Sequence, residues 1–199
     1  MARTPRQPPT KDKKLAEQAR LLLASPYFVG TQDGALLAEK QPIFLVLAGL
    51  KPLAEASSGH RETTANGRHT AFDDPAAVGS FLRSLGLHYR LRHDEHATDA
   101  LVALQPGLLD KYEQAAADDV TTTGELFGYP KTAVTAMGTY VQTGNETVLL
   151  PVQEQDDIER KAGLRDTYFV NFRFSRDHWK DELAICQHWY EVLRTYGLA

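Results

Sequence analysis

Apolar residues recur at helical spacing along several stretches of the chain, and these stretches define the predicted helices. The first helix is predicted to run from Lys13 to the Ser25-Pro26 step, because the residue before a proline is pushed out of the α region. Another begins at Asp74-Pro75, where the aspartate is a good N-cap and the proline fits the first turn. Further helices are predicted from Pro106 and over 121–128, 130–142 and 176–196, the last capped by Ser175.

Alternation of apolar and polar residues predicts the strands. Residues 87–92 alternate, and the apolar run 100–104 follows after a polar turn, so the two are predicted to pair as a hairpin. A short strand is predicted over 27–29, and the clearest strand of all over 168–174. Residues 35–50 fit either a buried helix or a strand, and periodicity does not decide between them.

The order of these elements indicates an α+β fold. We expect a small mixed sheet with a local hairpin, covered by several helices that include a long C-terminal helix. Residues 57–74 and 143–166 are polar and are predicted to lack regular structure. A chain of 199 residues suits one domain, so 13–199 is predicted to be a single globular unit. Residues 1–12 hold three prolines and scattered positive charge, which predicts a disordered basic arm.

Composition narrows the classes of partner. The chain is 42% hydrophobic and 24% charged with a formal net charge of −4, which gives no overall electrostatic case for nucleic acid. No stretch approaches the roughly 20 apolar residues of a membrane helix, so no membrane partner is predicted. A single cysteine, Cys186, precludes an internal disulfide and makes a reducing cytoplasm the simplest location. Cys186 falls on an apolar helix face and is predicted to be a buried thiol.

Residues 124–132 are the most informative stretch for chemistry. A turn flanked by Gly124 and Gly128 leads into a helix start at Pro130, with Lys131 and Thr132 in the first turn. A helix start presents unpaired N–H groups and a positive dipole end, which favour an anion. The glycine spacing differs from that of a phosphate-binding P-loop, which is therefore excluded. The alternative is a tight corner in which Gly128 takes an unusual backbone angle and a neighbouring tyrosine packs on the core.

The corner also carries a resemblance to known sequences. The segment Leu126-Phe-Gly-Tyr-Pro-Lys-Thr-Ala-Val134 resembles the Gly-Tyr-Pro segment of a group of prokaryotic proteins of unknown function, and 108–112 and 174–179 are similar as well. The resemblance covers roughly 45–196. Related archaeal segments carry a cysteine pair soon after Gly-Tyr-Pro, where this chain has Thr132 and Ala133. The resemblance therefore implies a fold rather than an activity, and no thiol or metal role.

The C-terminal helix places one carboxylate in its apolar sector. Glu182 lies there one turn after His178, and a carboxylate in that position should be paired, protonated or at the helix edge. One interpretation is a residue at the helix edge in an ion pair with an arginine. The other is a cleft shared with Lys131 and His178, which would bring a cation, a carboxylate and an imidazole together.

Three functions remain open from the sequence. The first is a soluble intracellular protein that binds a small anionic ligand or a protein partner, the second is an enzyme using the Lys131, His178 and Glu182 cleft, and the third is a nucleic-acid-associated protein acting through the basic arm. No cofactor is predicted, and the His93–Asp99 segment is interpreted as a solvated turn rather than a metal site. The candidate ligand-binding residues are Gly128, Tyr129, Lys131, Thr132, Arg173, His178 and Glu182.

Overall fold

The computed structural model describes residues 10–29, 37–58, 60–64, 67–71, 74–93, 98–116, 118–164 and 169–199, with the side chains of 10–12, 60–64 and 67–71 left undescribed. The helices are α1 (Thr10–Ala24), α2 (Lys40–Leu47), α3 (Pro75–Ser84), α4 (Pro106–Gln114), α5 (Val120–Leu126), α6 (Lys131–Thr143), α7 (Val152–Lys161) and α8 (Trp179–Thr195), with a 3-10 turn at Glu146–Val148. The strands are β1 (Leu53–Ser58), β2 (His60–Thr64), β3 (Gly67–Ala71), β4 (His88–His93) and β5 (Thr98–Ala103).

The strands form two antiparallel units. β5 lies between β1 and β4 in a three-stranded sheet, and β2 pairs with β3 in a separate hairpin. Alternate residues of β1 and β5 point to opposite faces of this sheet. Ala54 and Val102 belong to the main core with α2, whereas Leu53 and Leu101 pack with Leu109 of α4 in a smaller cluster. The sheet is therefore covered by helices on both faces.

The α+β class, the local hairpin and the long C-terminal helix are confirmed, although every described strand pairing is antiparallel and the sheet is not mixed. Asp74 caps α3 as predicted, because its carboxylate accepts hydrogen bonds from the N–H groups of Ala76 and Ala77. The predicted helices α4 and α5 and the β4–β5 pairing are also present. The ambiguous segment 35–50 contains α2, in which all eight residues are buried.

The strand predicted over 27–29 is wrong. Phe28 has a φ of 57°, in the left-handed region, which an extended strand does not allow. Its side chain is fully buried, and its N–H donates to the Ser58 hydroxyl at 3.4 Å. Burial in the core, rather than strand pairing, explains the apolar character of this segment.

The strand predicted over 168–174 is also wrong for the described residues 169–174, which form no ladder. The side chain of Gln155 takes the place of a neighbouring strand. Its Nε2 donates to the Phe172 carbonyl at 3.0 Å, and its Oε1 accepts from the Phe174 N–H at 2.9 Å. The apolar character of this segment therefore reflects burial of its aromatic side chains rather than strand pairing, since Phe169 and Phe174 are fully buried.

The predictions for two polar segments and for one helix cap are wrong. The segment 57–74 contains β2 and β3, and 143–166 contains a 3-10 turn and α7. Both lack the apolar periodicity that would have indicated a regular element. Ser175 does not cap α8, which begins at Trp179 with His178 in the N-cap position.

The basic arm lies largely outside the described residues, which begin at Thr10 inside α1, three residues before the predicted helix start. Within the described part of the chain, none of the helices combines the length and the apolar character that crossing a bilayer requires.

The corner between α5 and α6 is a Schellman motif. The Tyr129 N–H donates to the Gly124 carbonyl and the Gly128 N–H to the Glu125 carbonyl, both at 3.0 Å. Gly128 has a φ of 71°, and a Cβ added there would lie 2.6 Å from Cδ of Pro52. The corner therefore packs directly against the segment before β1, in a conformation and a space that only glycine fits.

Substitution of Gly128 by alanine should therefore destabilise the fold through both backbone strain and steric overlap. We expect Gly128→Ala to lower the free energy of unfolding by about 2–4 kcal/mol in urea denaturation. Gly144→Ala is the matched control, because Gly144 has a φ of 68° but nothing within 4 Å of an added Cβ. The free energy of unfolding of Gly144→Ala should fall by only about 1 kcal/mol, because the substitution adds backbone strain but no steric overlap. Equal losses in the two variants would contradict the packing of the corner against Pro52.

Candidate functional site

Tyr129 follows the glycine corner and lies in a stack of aromatic rings. Its ring centroid is 5.9 Å from that of Phe127 and 5.1 Å from that of Phe172. The ammonium of Lys51 lies 5.0 Å from the Tyr129 ring and 5.0 Å from the Trp189 ring. The corner thus positions the face of the Tyr129 ring against the ammonium of Lys51. The sequence analysis did not single out Lys51.

Lys51 is a buried cation. Its relative exposure is 4%, and its Nζ donates to the Phe169 carbonyl at 3.2 Å. No ion pair of Lys51 occurs within the described part of the chain. Burial lowers the pKa of Lys51 to about 8, against a smaller opposing influence from Cys186. A substantial fraction of this side chain is therefore a neutral amine near physiological pH.

A cavity of about 500 Å³ opens beside Lys51. Its acidic wall consists of Glu39, Glu55 and Asp99, and Tyr129 and Asn171 also line it. Burial raises the pKa of Glu39 and of Glu55, and the neighbouring carboxylates raise both further. The cavity thus combines an amine that is easily deprotonated with carboxyl groups that hold their protons more readily than usual.

Glu182 is fully buried, so the prediction of an edge position in an ion pair with an arginine is wrong. Its carboxylate accepts three hydrogen bonds, from the Thr132 hydroxyl at 2.6 Å, the Ser175 hydroxyl at 2.6 Å and the Ser175 N–H at 2.7 Å. Both carboxylate oxygens are therefore satisfied without a cation. Since Thr132 lies in the first turn of α6, the anion found at this helix start is the chain's own carboxylate.

The other predicted site residues lie apart from this carboxylate. Lys131 and His178 are exposed, and neither contacts Glu182 through a side-chain hydrogen bond or ion pair among the described residues. The structure thus joins Thr132 to Glu182. It does not gather the cation, carboxylate and imidazole of the predicted cleft into one of the cavities described here.

Arg173 lies at the amino end of α7, the helix that the sequence analysis missed. One of its Nη groups donates to the Leu150 carbonyl at 2.5 Å, while its buried Nε has no hydrogen-bond partner. It borders a cavity of about 420 Å³, together with Arg176 and Tyr140. Arg176 is held in turn by a hydrogen bond from its Nε to the Thr147 carbonyl at 2.8 Å.

The first turn of α7 forms another part of the same cavity wall. Pro151, Val152 and Gln153 line it, and the helix has no side-chain cap. Within the described part of the chain, the backbone N–H groups of Val152, Gln153 and Glu154 have no hydrogen-bond acceptor. The cavity therefore combines two guanidinium groups with a free helix amino end, and Glu146 is the single acidic residue among the described residues that line it.

A third cavity of about 490 Å³ lies between α6 and α7, on the other side of Arg173. Val134 and Met137 form part of its apolar wall, and Gln155 and Glu159 part of its polar wall. Tyr129 and Asn171 line this cavity as well as the one beside Lys51, so the two adjoin at the aromatic stack.

Two further candidates have no place in these cavities. Cys186 is buried as predicted, and burial raises its pKa to about 12, so its thiol stays protonated near neutral pH. His93 contacts the Thr98 hydroxyl at 2.7 Å, and residues 94–97 of the His93–Asp99 segment lie outside the described residues. The described residues contain no group of three or more potential metal ligands.

The residues that sequence reasoning missed carried weak signals. Lys51 interrupts a long apolar region between α2 and β1, but a single lysine near a turn is usually solvated. The free amino end of α7 follows Pro151, a common helix start, yet the helix itself is almost entirely polar. Arg173 was selected as a candidate ligand-binding residue, and the structure places it beside the amino end of α7 rather than beside Glu182.

No protein-family model, curated protein or solved structure matches this chain. The case for a function therefore depends on the geometry of the cavities.

Glu182 should be sensitive to loss of its carboxylate, which accepts from two hydroxyls and one backbone N–H. Glutamine at this position could keep its oxygen on the Ser175 N–H, but its amide N–H would face the two hydroxyls, which would have to turn round and accept instead of donating. We expect Glu182→Gln to lower the free energy of unfolding by about 1–3 kcal/mol in urea denaturation. Glu191→Gln on the same helix is the control, because Glu191 forms an exposed ion pair with Arg194 and should change stability by less than about 0.5 kcal/mol. Equal stability of wild type and Glu182→Gln would overturn this account of the carboxylate.

The lowered pKa of Lys51 predicts a pH-dependent contribution to stability. Between pH 8 and about 10.4 the unfolded chain keeps a proton that the folded chain has released, so folding becomes more favourable as pH rises. The unfolding free energy of wild type, minus that of Lys51→Met, should rise by roughly 1–2 kcal/mol from pH 7.5 to 9.5. Using this difference cancels the titration of Cys186 and Tyr129, which both proteins share. A flat difference for Lys51→Met would rule out the shift.

Proposed function

We propose that this chain binds a small anionic ligand, bearing a phosphate or a carboxylate, in the cavity between Arg173, Arg176 and the amino end of α7. The supporting observation is Arg173, which lines that cavity and whose buried Nε has no hydrogen-bond partner among the described residues. A buried donor left unpaired costs about 1–3 kcal/mol, and an acceptor oxygen from a ligand would remove that cost.

The electrostatics of the cavity favour the same ligand class. Two arginines and the positive end of a helix dipole outweigh the one carboxylate of Glu146. Planar guanidinium groups match the oxygen spacing of carboxylates and phosphates and can bond them through two parallel N–H groups. The free N–H groups of Val152 and Gln153 would supply further donors, as in other anion sites at helix starts.

The size of the cavity limits the ligand. A volume of about 420 Å³ lies in the range of small-molecule sites and suits a compact metabolite rather than a polymer. Because Arg173 also borders the apolar cavity beside Met137, a ligand with an apolar body could extend past the guanidinium into that space.

Calorimetric titration with inorganic phosphate tests the proposal at its simplest. Wild type should bind phosphate, and Arg173→Lys should bind it at least about tenfold more weakly, because lysine keeps the charge but loses the two-pronged donor geometry. Arg176→Met should weaken binding to a similar degree. Arg160→Met is the control, since Arg160 lies at the opposite end of α7 in an exposed ion pair with Asp157, and its affinity should stay within twofold of wild type.

The outcomes separate the alternatives. Absence of phosphate and acetate binding to folded wild type at millimolar concentrations would refute the proposal, as would unchanged affinity in Arg173→Lys. Comparison of acetate with longer aliphatic and aromatic carboxylates then measures the contribution of the apolar cavity, since affinity should rise with the apolar area that it buries.

A further inference from the structure

A second site, independent of the proposed anion cavity, lies at Lys51. We propose that the buried amine of Lys51 is a nucleophile that forms an imine with a small aldehyde or ketone in the adjoining cavity of about 500 Å³. The argument rests on where the amine lies, what holds it and which groups face it.

The position of Lys51 differs from that of a structural cation. A buried lysine is normally neutralised by a carboxylate, but no described carboxylate forms an ion pair with Lys51. One carbonyl, that of Phe169, and two ring faces hold its Nζ. Among the described residues, the Phe169 carbonyl is the one hydrogen-bond acceptor of the Lys51 Nζ, and Lys51 is one of the residues that line the cavity. A small carbonyl compound in that cavity would therefore lie beside an amine that forms no ion pair with a described carboxylate.

The surroundings also favour the neutral form that a nucleophile requires. Burial is the main influence on Lys51 and lowers its pKa to about 8. The titratable groups around it are the Cys186 thiol on α8, the Tyr129 phenol at the corner, and the carboxyls of Glu39 and Glu55 with Asp99 across the cavity. The thiol and the phenol both have pKa values raised to about 12 by burial, so both groups are uncharged near neutral pH.

The cavity also supplies acid groups for the second half of the reaction. The neutral Nζ attacks the carbonyl carbon, a C–N bond forms, and the carbonyl oxygen gains a proton as the nitrogen loses one, which gives a carbinolamine. A carboxyl group then protonates the hydroxyl, which leaves as water while the nitrogen lone pair forms the C=N bond of an iminium ion, and the resulting carboxylate takes the N–H proton of that ion to leave the neutral imine. Amine and carbonyl thus become imine and water, with no oxidant or reductant. Glu55, on the cavity wall, is the exposed member of the acidic group and the simplest proton donor to test.

Reductive trapping provides the test. The folded protein is incubated with propanal and cyanoborohydride, digested, and each lysine is scored for the added propyl group by mass spectrometry. At pH 7 a lysine with a pKa of about 8 is about 10% neutral, against roughly 0.04% for an ordinary lysine. We therefore expect Lys51 to react at least about tenfold faster than exposed Lys131 and Lys180, even with slower access to a buried amine. Its rate should level off above about pH 8, while the rates of the exposed lysines continue to rise.

Two variants make the result decisive. Lys51→Arg keeps a cation between the rings but has no amine, so it should fold and lose the fast labelling with no change at other lysines. Glu55→Gln should slow labelling of Lys51 severalfold and leave Lys131 unaffected. Labelling of Lys51 in wild type no faster than that of Lys131 would overturn the proposal, as would a Lys51 rate that rises through pH 10 without a plateau. Phosphate binding at α7 does not involve Lys51, so either proposal can fail alone.

Discussion

The hydrogen bonds of the buried Glu182 carboxylate are the interaction on which the cavity beside Lys51 and the cavity beside Arg173 and Arg176 depend. It joins α8 to the first turn of α6 through Thr132 and to the segment before α8 through Ser175. That segment carries the Phe169 carbonyl to Lys51 and Arg173 to the amino end of α7. The described backbone pairing of the segment is one isolated antiparallel bridge between Leu149 and Ser175, and the side-chain hydrogen bonds of Gln155 add to it. One carboxylate with three donors therefore holds the positions of two functional side chains.

Glu182 and Lys51 are stabilised in the interior in different ways. Glu182 is surrounded by hydrogen-bond donors, which stabilise a carboxylate inside a protein without a counterion. Among the described residues, Lys51 has one hydrogen-bond acceptor and two aromatic faces, which stabilise its ammonium less completely, and its pKa is lowered. The first arrangement suits a structural anchor. The second leaves a group whose charge depends on its environment, which is the property expected of a reactive residue.

Local signals predicted the elements that depend on local physics. The Asp74-Pro75 start of α3 and the alternation that leads to the β4–β5 hairpin are each encoded within a few residues. The 168–174 segment has an equally clear strand pattern, but its partner is the side chain of Gln155 on a polar helix without periodicity. At the candidate site, the sequence placed Thr132 and Glu182 in one set of residues but could not show that they bond to each other. The burial of Lys51 depends on rings from positions 129 and 189, which no local pattern connects to it.

The amide of Gln155 has a consequence for the orientation of α7. The Gln155 amide donates to the Phe172 carbonyl and accepts from the Phe174 N–H. Both bonds together require a side chain of this length that carries a donor and an acceptor. Asparagine is one methylene too short for the same reach, and glutamate has no donor when ionised. A single side chain thereby sets the rotation of the helix about its axis and its position along the neighbouring segment. Gln155 bonds the backbone on either side of Arg173, and it thereby helps to place the amino end of α7 beside the Arg173 guanidinium.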